Sequence, residues 1–165
     1  MFRGLVSLGF DIIVEAHAAA ILEMDFSDAE HQLEAVLKDF SIDSAEIVTG
    51  GGGEASMTQR LRKALSAAGW QKDVFTITTT VNGIERESTT HEIDHVKKYD
   101  KGTIALEIEW NNKDTFFDRD LENFNRLHNN KAISLGIIVT RGDSLQSNLN
   151  SIIADHGQRY GLDSF

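Results

Sequence analysis

The 165-residue sequence predicts an α/β fold, a mixed central β-sheet flanked by helices, and three features predict it. From Val74 onward residues alternate with a period of two, and Asn82-Gly83 follows as a strong hairpin signal, so two antiparallel strands meet there. Ala132 to Thr140 is a nearly continuous apolar run of strand length, as expected of a strand covered on both faces. Between them Phe117, Leu121, Phe124 and Leu127 recur at i, i+4, i+7 and i+10, one face of a helix. Strand, helix, strand in that order implies a crossover onto the same sheet.

Taken in order, Phe10, Ile12, Ile13 and Val14 predict a strand leading into a helix from His17. Ser27 is the expected N-cap of a second helix, with Asp28 and Glu30 in its first turn and Leu33, Val36, Leu37 and Phe40 at helical spacing. Gly50 to Gly53 leads into a helix from about Glu54 to Ala68; backbone amides there could approach a phosphate, although a flexible loop is the simpler reading. No Gly-Lys-Ser/Thr follows, which excludes a nucleotide P-loop. The strands expected next are Val74 to Val81, Ile84 to Val96 and Thr103 to Trp110, with a turn at Asp100-Lys101-Gly102. Asp114 or Thr115 then caps the helix of the crossover, and a last helix starts near Ser144.

Length supports a single domain over residues 1–165, able to bury about two thirds of its unfolded surface. It divides into a helical part (1–50), a core (51–141) and a C-terminal helix (142–165). With no cysteine, disulfides and thiolate metal sites are excluded. No signal-peptide pattern or long apolar span appears, so a cytoplasmic location is expected. The net charge of −10 argues against a polyanion partner, but the acid is unevenly spread: residues 1–50 carry −8 and residues 51–165 only −2.

Two candidate chemistries share residues 91 to 113. Strand alternation puts Glu107 and Glu109 on one face with Ala105, and Ile104, Leu106, Ile108 and Trp110 on the other. Adjacent carboxylates repel, and burial makes both costly to ionise. Asp94, on the neighbouring strand, reaches the same face if the turn lies near residues 99–102. Three carboxylates, a backbone carbonyl and water suit a hard ion such as Mg²⁺, with Mn²⁺ as a substitute. Such a site hydrolyses phosphodiesters; the competing reading is a half-exposed strand with its charges in solvent. The second chemistry is His91-Glu92-x-x-His95, the zinc-peptidase pattern, which needs a helix. On a regular strand, His91, Ile93 and His95 share one face while Glu92 and Asp94 share the other, so the glutamate points away from the histidines.

The pattern Asp-x12-Glu-x-Glu set in strand, turn, strand, helix, strand resembles the PD-(D/E)xK nuclease core. The run from Ile104 to Asp114, with Phe116 to Leu121, resembles type II restriction endonucleases of the BglII and BamHI kind, a likeness extending from roughly Gly50 to Arg141. The resemblance implies a restriction-endonuclease-like core and a bacterial homodimer that cuts both strands of a short palindrome in double-stranded DNA, leaving 5′-phosphates. It implies Asp94 and Glu107 as metal ligands, the Ile108 carbonyl as a further ligand, and Glu109 in the place of the motif lysine, binding metal or activating water. Ile93 stands where the motif has proline. A fourth ligand from the preceding helix is expected, with Glu54 and Gln59 as candidates, as is a further segment beyond Phe165.

Chosen by sign and location, Arg60, Lys63, Lys97, Lys98 and Lys113 are candidate phosphate contacts, and Asn111 and Asn112 candidate base or backbone contacts. The rival functions are a non-catalytic DNA-binding or assembly module with a nuclease-like fold, and a zinc hydrolase using His91, Glu92 and His95.

Overall fold

A four-stranded mixed sheet forms in the order β1-β2-β3-β4, with β1 Gln71–Val81, β2 Ile84–Tyr99, β3 Gly102–Glu109 and β4 Leu135–Thr140. The structure is a computed structural model and describes residues 1–48, 54–110 and 114–161. The first three strands are an antiparallel meander, and β4 runs parallel to β3. Asn82 and Gly83 both take positive φ, 53° and 78°, as the mirror-image turns of two-residue hairpins require. The parallel pair is joined by helix α6 (Asp114–Asn129), the expected crossover.

Each face of the sheet carries its own core. On one side α1 (Arg3–Val6), α2 (Ala18–Asp25), α3 (Ser27–Lys38) and α5 (Ser56–Ala67) bury Leu5, Leu22, Leu33, Leu61 and Leu65 against Ile104, Leu106 and Leu135. On the other, Phe124 and Leu127 of α6 pack on Ile93, Val96 and Ala105. The short α4 (Ser44–Val48) meets the terminal α7 (Asp143–Tyr160), where the Ser44 hydroxyl and His156 Nδ1 are 2.9 Å apart.

Three local expectations are corrected. Residues 10–15 form no strand: Phe10 and Ile12 pack on the core, but Ile13 is 86% exposed and no neighbouring strand pairs with them. Ser27 is the first helical residue and not the cap; Phe26 holds that position without a side-chain bond, and its ring is buried instead. The buried stripe of α6 is Asp120, Phe124 and Leu127, whereas Phe117 and Leu121 stay 36% and 44% exposed. The helix has therefore rolled toward its acidic residue.

Gly136 sets how closely α6 approaches β4, because a Cβ there would lie 2.5 Å from Phe124 Cδ2. Gly136→Ala is expected to lower stability by about 2 kcal/mol through overpacking, read as a lower urea midpoint at unchanged slope.

Candidate functional site

The carboxylates cluster around an irregularity in β2. Gln71 pairs with Val96 but Asp73 with Ile93, so the single residue Lys72 on β1 stands opposite both Asp94 and His95. This is a β-bulge, a device that re-aims side chains. Its signature is that Ile93 and Val96, of opposite parity, are buried in the same cluster. It also separates the two histidines. His91 pairs with Phe75, which packs on the α6 side, while His95 pairs with Leu106 in the core of the opposite side. Partners across a ladder share a face, so His91 and His95 lie on opposite faces of the sheet and cannot converge on one zinc ion. The expectation that a regular strand puts them on one face fails because the bulge intervenes between them. Burial, against the opposing pull of Asp94, pushes His95 below the ordinary imidazole value.

The β2–β3 pairing ends at His95–Leu106, and Asp94 and Glu107 are the next residues on the two strands. The Asp94 amide donates to Glu107 Oε1 at 3.2 Å. Glu107 is flanked by Glu109, two residues on, and by Asp120 from α6, which is 4% exposed. Burial first, then the charges of Asp94, Asp120 and Glu109, push the Glu107 carboxyl up to about 8. Burial and a hydrogen bond with Asp120 push Glu109 up to about 7, against the opposing pull of Arg119. A hydrogen bond between two carboxyls requires that one hold a proton.

Cationic side chains meet these acids at the rim. Lys72 Nζ is 2.7 Å from Glu92 and 3.2 Å from Asp94. Arg119 Nη2 is 3.0 Å from Asp120 Oδ1 and 3.7 Å from Glu109. Among the described residues no three His, Cys, Asp or Glu side chains are placed so that together they could hold a metal ion. Asp94 is turned to Lys72, and Glu109 to Asp120 and Arg119. In kind, however, the donors fit a hard divalent ion: all are oxygens, and their crowding leaves excess negative charge in a half-buried place.

Asp120, Arg119 and Lys72 were missed by sequence reasoning. Asp120 had a legible signal, since it precedes Phe124 by four and Leu127 by seven and so falls in the buried stripe of its helix. Lys72 had none, because only the bulge brings it to Asp94.

The other sequence candidates disperse. Glu54 pairs with Arg62 at 2.5 Å, and Gln59 donates to the Glu54 carbonyl at 3.0 Å, so both are engaged within their own segment. Arg60 is bound to Glu46 and to the Ser41 carbonyl. Lys97 is bound to Gln32 and the Ala68 carbonyl, 5.6 Å from the centre of the Tyr99 ring. Arg60 and the exposed Lys63 ride on α5, and with Lys97 they belong to the side of the sheet opposite Glu107. Lys98 lies on the Glu107 side, paired with Asp73 at 2.7 Å. Asn111, Asn112, Lys113 and the Gly50 to Gly53 stretch lie outside the described residues. The Ile108 side chain packs into the α5-side core; the site's β3 edge is tied by Thr140 Oγ1, which donates to the Glu109 carbonyl at 2.8 Å.

A family model described as restriction endonuclease BglII/BglIII matches residues 10–160, which takes in every strand and the carboxylate cluster. No curated protein matches the chain.

Proposed function

The chain belongs to the BglII/BglIII restriction endonuclease family, and on that premise we propose a Mg²⁺-dependent homodimer that cuts double-stranded DNA at a short palindrome to leave 5′-phosphates. It is a type II site-specific deoxyribonuclease, of a family that generally works with a divalent metal ion. No helix among the described residues is long and apolar enough to cross a membrane.

The observation that carries the reading is the meeting of the Asp94 amide with the Glu107 carboxylate just past the last β2–β3 pair, with Glu109 on the same face of β3 as Glu107. Asp94 and Glu107 would hold the ion, with the Ile108 carbonyl as a further ligand. A divalent ion bound there would polarise the scissile phosphoryl group and stabilise the leaving alkoxide. Glu109 plays a different part, because a carboxyl raised to about 7 is matched to taking a proton from the attacking water near neutral pH. Asp120 keeps Glu109 in that range, and Arg119 limits the repulsion between the two. Lys98, Asn111, Asn112 and Lys113 are the proposed DNA contacts, since Lys98 shares the carboxylate side and the other three follow β3 directly.

The test is digestion of a mapped plasmid. Discrete fragments with Mg²⁺, and ends that a ligase joins without added kinase, are expected; random nicking would refute site specificity. Salt-sensitive DNA binding without cutting by either Mg²⁺ or Mn²⁺ would favour the non-catalytic module.

A further inference from the structure

Hydrolysis of a phosphodiester places negative charge on the phosphoryl oxygens in its transition state, and preorganised cations and donors there lower the barrier. Strand β3 offers none: it carries no base, and Glu109 stands where the motif has lysine. Asp94, Glu107, Glu109 and Asp120 already crowd one another, and a DNA phosphate brought to them adds to the repulsion. One divalent ion neutralises two charges. A place is left for a further cation beside the phosphate.

The nearby lysines are committed elsewhere. Lys72 lies between Glu92 and Asp94, at 2.7 and 3.2 Å, and Lys98 is paired with Asp73 at 2.7 Å. Arg119 of α6 is instead the base that reaches the Glu109–Asp120 pair. Its Nε donates to Asp120 Oδ1 at 3.0 Å, and its Nη2 lies 3.0 Å from that same oxygen and 3.7 Å from Glu109 Oε1. Asp120 is a firm anchor, because its side chain is buried one turn before Phe124 in the packed stripe of the helix. The Arg119 side chain itself is 55% exposed. The guanidinium therefore stands between the buried acids and solvent, the side from which DNA arrives.

Distance places it at the reacting group. With the attacking water in hydrogen-bond reach of Glu109 and in near-attack contact with phosphorus, the phosphate lies within roughly 6 Å of the Glu109 carboxyl. Arg119 Nη2, at 3.7 Å from that carboxyl, is inside the same shell. A guanidinium has five N–H donors in a rigid fork that matches phosphate as well as carboxylate, so one oriented by a first anion can donate to a second.

We propose that Arg119 is a further catalytic residue: its guanidinium, oriented by Asp120, donates to a non-bridging oxygen of the scissile phosphate and stabilises the charge carried there during attack. The proposal rests on the nuclease reading above.

Arg119→Gln and Arg119→Lys test it, on a duplex bearing the site mapped by sequencing the ends of genomic DNA cut by the unaltered chain. Single-turnover cleavage with Mg²⁺ should fall about 100-fold in Arg119→Gln. Arg119→Lys, which keeps the charge and loses the fork, should recover part of that rate. Binding is then measured with Ca²⁺ in place of Mg²⁺, on the ordinary duplex and on one whose scissile phosphates are replaced by uncharged methylphosphonates. Arg119→Gln should bind the ordinary duplex about 10-fold more weakly than the unaltered chain, and the methylphosphonate duplex within about twofold of it. Calorimetric affinity for Mn²⁺ without DNA should not fall, since removing a cation beside the carboxylates favours the metal. Equal weakening on both duplexes, a fall in Mn²⁺ affinity, or cleavage by Arg119→Gln at the unaltered rate would overturn the role of Arg119 and leave the nuclease reading standing. If the unaltered chain cuts no DNA, the nuclease reading falls first and this role with it.

Discussion

Replacing Glu107 by alanine is expected to lower the rate of DNA cleavage by about 10³-fold or more, while binding of the same DNA persists. Glu107 is the carboxylate most crowded by others: Asp94, Asp120 and Glu109 all act on it within the low-dielectric face under α6. Removing its charge should weaken the metal site and leave the DNA contacts intact. The measurement is single-turnover cleavage beside equilibrium binding of the mapped site. Full cleavage by Glu107→Ala would remove the carboxylate cluster from the mechanism. Equal loss of binding and cleavage would point to misfolding, which Glu107→Gln, close in size, separates by retaining binding without activity.

In the metal-free protein, raising the pH from 5 to 8.5 is expected to cost about 2–3 kcal/mol of stability, and a divalent ion should restore it. The sign follows from Glu107 at about 8 and Glu109 at about 7, both above the ordinary 4.5. Below 4.5 the folded and unfolded chains are both protonated at these groups. Between 4.5 and 8 the folded chain holds protons that the unfolded chain has released, so stability falls as pH rises through that window and levels off above it. The magnitude is set well below that of a dry site, because both carboxyls keep contact with water. Metal binding must expel those protons, so affinity should climb over the same range. Asp73 works in the opposite sense at lower pH: its bond to Lys98 holds it below the ordinary carboxylate value, so that contribution is lost on acidification. Urea titrations at several pH values decide the matter, since Glu107→Gln should flatten the slope and stabilise the metal-free chain at pH 8. An unchanged slope in that variant would show that Glu107 is not the source.

The acidic half of the site and most of the fold were legible because they depend on local rules. A pleated strand alternates its side chains, so Glu107 and Glu109 had to share a face with Ala105 once β3 was recognised. A turn at Asp100-Lys101 then brought Asp94 beside Glu107. The basic residues were not legible in the same way. Arg60 and Lys97 look like phosphate ligands by sign, yet α5 packs on the far side of the sheet and both are bound to groups there.

The sequence by itself determined the strand and helix periods, the Asn-Gly turn and the paired glutamates, since each depends on backbone geometry within a few residues. Only the tertiary structure decided what stands beside those glutamates. The bulge that turns Lys72 toward Asp94 and sends His91 and His95 to opposite faces depends on pairing with β1, some twenty residues away in sequence. The burial of Asp120 depends on how α6 rolls over Gly136 and Ala105. Register and packing are long-range choices among strands and helices that the local pattern leaves open.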